Sequence, residues 1–159
     1  MIAGDANAVT SAEEPERMTS FAKRSITAET ALVALQGAAA KARQLGQAMS
    51  IALVDDSGVL KAALRMDGAS DMTRAIAEDK AYTSACLKAP THALWDLVKN
   101  DPPLLHGFPG TRRAIVFGGG YPILEAGQLI GAIGVSGGHY SDDMEVARAG
   151  LMAIGAPIG

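Results

Sequence analysis

Within the eight positions from Ser136 to Asp143 the chain places a serine, an imidazole (His139), a phenol (Tyr140), a second serine (Ser141) and two carboxylates (Asp142, Asp143). An imidazole that titrates near neutrality can move protons or bind iron, and either task needs a neighbour to orient the ring. His139 is therefore the first candidate, with Tyr140 and Asp142 as catalytic companions and Ser136 as a ligand contact. A second group lies in the loop Arg65-Met66-Asp67-Gly68-Ala69. Arg65 can hold a carboxylate in two parallel hydrogen bonds, and Asp67 can either share that pocket or pair with Arg65 to fasten the loop. Lys80, with Thr83 and Ser84 one turn further on, can point toward the same pocket, while Glu78 and Asp79 read as a solvated helix face.

Other features exclude chemistry. Gly118-Gly119-Gly120 is followed by Tyr121-Pro122, not by Lys-Ser or Lys-Thr, so the triplet is no phosphate loop. Gly119 and Gly120 instead suit a bulge where a ligand or a neighbouring subunit approaches the backbone. His92, His106 and His139 are fourteen and thirty-three residues apart, which matches no compact zinc signature. The single cysteine, Cys86, lies in an Ala-rich helical stretch and reads as an inert buried thiol.

These residues must be positioned by elements of both kinds. Thr27 caps a helix whose apolar positions are Leu32, Leu35, Ala39, Ala42 and Leu45, closed by Gly46. Met49 to Val54 and Val59 to Arg65 read as strands joined by the turn Asp55-Asp56-Ser57-Gly58. A helix from Ser70 or Asp71 runs to Lys88, and a second from Thr91 carries Leu94, Trp95 and Val98 to about Asn100. Leu104 to Arg112 reads as a loop. Ala114 to Phe117, Ile123-Leu124 and Leu129 to Val135 are expected as strands, and a last helix runs from Ser141, capped there or at Asp142, to Ile154. The order α-ββ-α-α-βββ-α with hairpin connections gives an α+β fold: an antiparallel sheet of about five strands, with helices on one or both faces. Residues 1–24 lack periodicity and are expected as a flexible arm, leaving 25–159 as one domain.

The chain is 48% hydrophobic and 19% charged, with a net charge of −3. Nucleic acid is not the expected partner, since phosphate binding needs a concentrated basic face. No apolar run approaches the ~20 residues of a membrane span, and the N-terminus has neither a basic nor an apolar leader region. A cytoplasmic location is expected.

Several stretches carry a resemblance: VDDSGVLKAALRMDGA (Val54–Ala69), IAEDKAYTSA (Ile76–Ala85), APTHAL (Ala89–Leu94), FGGGYPI (Phe117–Ile123), IGAIGVSGG (Ile130–Gly138) and DDMEVARAG (Asp142–Gly150). In this order the chain resembles the GlcG/HbpS-type haem-binding family (DUF336), whose domain also forms the C-terminal part of PduO-like proteins. The resemblance covers about Ile26 to Ala156. It implies a profilin-like sandwich, a homo-oligomer and, in some members, bound haem or a tetrapyrrole, for which His139 offers an iron ligand. It also raises Lys80 as a binding residue. The HYSDD tip departs from the family's usual Gln-Asp-Glu stretch. Two functions therefore stand side by side. One is haem or tetrapyrrole binding, in haem handling or beside a small-molecule catabolic pathway. The other is an enzyme acting on a small organic acid or carbonyl compound, with His139 moving protons and Arg65 clamping a carboxylate.

Overall fold

The computed structural model describes residues 18–158, so most of the expected N-terminal arm lies outside the described residues. Residues 18–24 are irregular and exposed, tied down where Lys23 meets Asp56 (2.8 Å) and Arg24 meets Glu125. Thr27 then caps α1 (Ala28–Gln44), its hydroxyl accepting from the Thr30 amide at 3.1 Å. The buried stripe of α1 is alanine, with Ala31, Ala34, Ala38, Ala39 and Ala42 beside Leu35, whereas Leu32 is half exposed. Small residues win the inward positions because α5 crosses too closely for Leu. A Cβ on Gly37 would stand 2.4 Å from the Ala153 side chain.

Strands β1 (Ser50–Asp55) and β2 (Leu60–Arg65) form the expected hairpin. Its turn is held by Asp55, whose carboxylate accepts from the Ser57 and Val59 amides at 2.9 and 3.0 Å. Helix α2 (Asp71–Leu87) follows, then α3 (Thr91–Val98), β3 (Gly120–Glu125), β4 (Gln128–Ser136) and α5 (Tyr140–Ala153). All pairings are antiparallel, in the order β2-β1-β4-β3. Alternation sends Ile51, Leu53, Tyr121, Ile123, Ile133 and Val135 into the larger core under α1 and α5. Val54 and Ala132 meet Ala81 and Ala85 of α2 on the other face. Helices thus cover both faces. Gly134 shows why β4 alternates aliphatic residues with glycine: a Cβ there would lie 2.0 Å from the Ala77 carbonyl oxygen, so α2 rests directly on the strand.

The sheet has four strands, not about five. The strand expected over Ala114–Phe117 is irregular. Its backbone is satisfied by a side chain instead: the Thr83 hydroxyl donates to the Arg113 carbonyl (2.6 Å) and accepts from the Ile115 amide (3.1 Å). Arg113 itself has φ +64°, which no strand residue adopts. The loop expected over Leu104–Arg112 contains a short helix, α4 (Pro102–Gly107), and a 3₁₀ turn (Phe108–Gly110). Asp101 caps α4 with Pro102 in its first turn, a helix start that the double proline disguises as a stop. No helix among the described residues is long and apolar enough to cross a membrane.

Candidate functional site

The end of β4 and the start of α5 enclose a buried ion pair. Lys80 of α2 donates to the Asp143 carboxylate at 2.6 Å and to the Val135 carbonyl at 2.8 Å, and both side chains are removed from solvent (0% and 3% exposed). The other Asp143 oxygen accepts from the Gly138 amide at 3.1 Å. The Phe117 ring lies over the ammonium, 4.8 Å from its centroid. Burial pulls Lys80 below the ordinary lysine range and pushes Asp143 above the ordinary carboxylate range, each opposed by attraction to its partner. Gly119 makes room for the pair. At φ +116° its missing Cβ would stand 2.8 Å from the Lys80 nitrogen and 2.7 Å from the Val135 oxygen. A Cβ on Gly120 would meet the Lys80 carbonyl oxygen at 2.5 Å and Thr91 at 2.6 Å. The close approaches at Gly119 and Gly120 are thus made by the protein's own α2 and α3.

On the outer side of Phe117 lies a cleft of about 320 Å³, lined by His92, Trp95, Val116, Phe117, Gly118 and Tyr140. With one Trp, three Tyr and three Phe in the chain, three of these rings converge here, each about half exposed. His92 and Trp95 share a face of α3, three positions apart. The helix is pinned by buried Thr91, whose hydroxyl accepts from the Gly120 amide at 3.0 Å. Behind His92 stands Tyr121, its ring centroid 5.6 Å away. His92 Nδ1 and the Tyr121 hydroxyl are the two buried side-chain polar atoms left without a hydrogen-bond partner among the described residues. Burial raises the Tyr121 phenol, with Arg148 opposing the shift but not reaching hydrogen-bonding geometry. Larger hollows between α1 and α5 (about 410 Å³) and around Phe21 (about 620 Å³) are lined by no histidine.

The expected site residues separate. His139 is exposed and is the N-cap of α5, a role expected of Ser141 or Asp142. Its Nδ1 faces the Ser141 amide at 3.4 Å and the Ser141 hydroxyl at 2.8 Å. The ring lies against Tyr140, centroids 4.2 Å apart, which places His139 beside the cleft wall. Asp142 accepts from the Gln47 amide group at 2.6 Å, strapping α5 to the end of α1. Ser136 is buried opposite Ser50 in the sheet. Arg65 ends β2 opposite Ser50 and donates to the Ala69 carbonyl at 2.7 Å, closing its own loop. With Asp67 it lines a separate hollow beside Arg43 that shares no residue with the cleft. Glu78 and Asp79 are not a solvated face: both bond Arg113, at 3.1 and 2.7 Å. Cys86, expected to be buried, is exposed near the end of α2. His92, Trp95 and Phe117 were missed as a site. The three-residue spacing of His92 and Trp95 was a signal for the first two.

The model of the family described as haem degrading protein, HbpS-like, matches residues 26–152. An uncharacterized 15.0 kDa protein of Citrobacter freundii, from a dhaT-dhaS intergenic region, is 36% identical over 128 residues, covering 79% of this chain and 89% of the relative. The crystal structure of the Klebsiella pneumoniae protein ORFY superposes with a TM-score of 0.84 at 31% identity, over 91% of this chain and all of that one. A structure described as a PduOC:haem complex superposes with a TM-score of 0.76 at 28% identity, over 84% of this chain and 97% of that one.

Proposed function

The chain belongs to the HbpS-like family, and on that premise we propose that it binds haem in the cleft between α3, the Val116–Gly118 segment and the start of α5. The observation that carries the reading is the convergence of Trp95, Phe117 and Tyr140 with an imidazole whose Nδ1 has no partner. Flat aromatic walls suit a planar macrocycle, and an imidazole without a hydrogen bond suits its metal. The residues present therefore fit the group. Trp95, Phe117 and Tyr140 would hold the macrocycle, and an imidazole, His92 or His139, would meet the iron. Bound haem supplies the iron chemistry; the chain supplies an apolar surface and a nitrogen ligand. The haem complex of the PduOC relative supports the same reading.

Titration of the purified chain with haemin, followed by absorbance, tests it. Saturable binding that Trp95→Ala or Phe117→Ala weakens is the expected result. A linear, unsaturated rise identical in both variants overturns the proposal. The acid–base enzyme has no comparable support, because Arg65 stands in another hollow and spends a guanidinium hydrogen bond on Ala69. A cytoplasmic setting belongs to the same proposal and is checked by fractionating producing cells.

A further inference from the structure

We propose that the iron ligand in the cleft is His92, not His139; the inference rests on the haem reading and sharpens it to a named nitrogen. Three observations carry it. First, His92 lines the cleft, whereas His139 stands beside it on the exposed cap of α5. Second, the two imidazoles differ in what they already do. To cap α5, His139 Nδ1 must accept from the Ser141 amide, which places the ring proton on Nε2. Binding iron through Nε2 requires the opposite tautomer, so His139 must give up the bond from the Ser141 amide in order to ligate, keeping through Nδ1–H only the bond to the Ser141 hydroxyl. His92 gives up nothing. Its Nδ1 has no partner, and a half-turn of an unbonded ring exchanges the positions of its nitrogens and carbons without breaking a hydrogen bond.

Third, the unpaired nitrogen is itself costly. A buried polar atom without a partner costs about 1–3 kcal/mol, and native folds keep few of them. Among the described residues there are two, on His92 and on Tyr121, whose ring centroids are 5.6 Å apart, and His92 lines the cleft walled by Trp95, Phe117 and Tyr140. The wall is rigid as well as unsatisfied, because Thr91 locks the first turn of α3 to Gly120 immediately before His92. A helix held in place, carrying a ring with a spare nitrogen, is what a metal-binding wall requires.

The test compares wild type, His92→Ala, His92→Gln and His139→Ala, each checked for folding by circular dichroism and titrated with haemin and with iron-free protoporphyrin. Two variants are used at position 92 because alanine opens a void beside Tyr121, which glutamine partly fills. We expect both His92 variants to lose the Soret position of the wild-type complex. Their haemin affinity should fall about tenfold or more, at least the loss usual for disturbing a metal-bound histidine. Their affinity for iron-free protoporphyrin should hold within about twofold, and added imidazole should restore the Soret position. His139→Ala should keep the wild-type spectrum. An unchanged spectrum in both His92 variants beside a saturable wild type overturns the assignment of His92 while leaving haem binding in place. So does an equal loss for the iron-free ring, which would make His92 a packing residue. No saturable binding by wild type overturns the functional reading and this inference together.

Discussion

Lys80 and Asp143 sit beneath the cleft, and their burial sets what each is worth. Removing one partner leaves a charge without its counterpart in a site closed to water, so Lys80→Met is expected to cost about 3–5 kcal/mol. The double variant Lys80→Met/Asp143→Leu should recover part of that loss. It should remain below wild type by about 1–3 kcal/mol for the Val135 carbonyl and Gly138 amide that then lack partners. Denaturant midpoints decide the order. The same pair gives a pH signature of known sign. Asp143 is raised on folding, so its contribution is fully present below the ordinary carboxylate value and is lost as pH climbs through the raised one. Lys80 is lowered on folding, so its contribution is present above the ordinary lysine value and is lost as pH falls through the depressed one. The stability difference between wild type and the double variant should therefore shrink from both ends toward mid-range pH. A flat difference would mean that burial shifts neither group.

At the scale of elements, the loop between the 3₁₀ turn and β3 carries Phe117 and is held to α2 by Arg113. That guanidinium bonds Asp79 and Glu78 and lies over the Tyr82 ring, 4.0 Å from its centroid. These contacts are partly exposed, so their sum is modest: about 1–2 kcal/mol for Arg113→Ala, allowing up to about 1 kcal/mol for each ion pair and for the ring. Arg113→Gly loses the same contacts but relieves the left-handed backbone at φ +64°, and should therefore be the less damaging change. Both should speed hydrogen exchange across Ala114–Gly118 and leave β1 protected. If Ala and Gly destabilise equally, the backbone conformation at position 113 carries no strain worth relieving.

For the whole molecule, the α1 surface keeps Leu32 and Val33 about half exposed, and Met152 of α5 is 61% exposed. These apolar side chains support the homo-oligomer expected from the sequence, as part of the proposed function. Light scattering on the purified chain should return a multiple of 16.3 kDa, and Leu32→Glu/Val33→Glu should lower it. A single 16.3 kDa species across the accessible concentration range would overturn self-association.

Local chemistry decided what the sequence alone could determine. The Thr27 cap, the Asp55–Gly58 turn, the α2 start near Asp71 and the α5 body each depend on partners within about four residues along the chain, and the strands beside the turn on partners at most fifteen away. The α+β class and both hairpins followed from them. The family resemblance was legible too, since it rests on consecutive residues. The fate of the strand expected over Ala114–Phe117 was not, because the backbone there bonds Thr83, a side chain some thirty positions away. Neither was the partner of Lys80, sixty-three residues distant at Asp143. Nor could spacing rank three histidines. Only the packing of α3 against Gly120 put His92 in one cleft with Phe117 and Tyr140, and only the start of α5 at Tyr140 committed His139 to a cap. Tertiary structure decided the site because its parts meet across the fold, where no local pattern reaches.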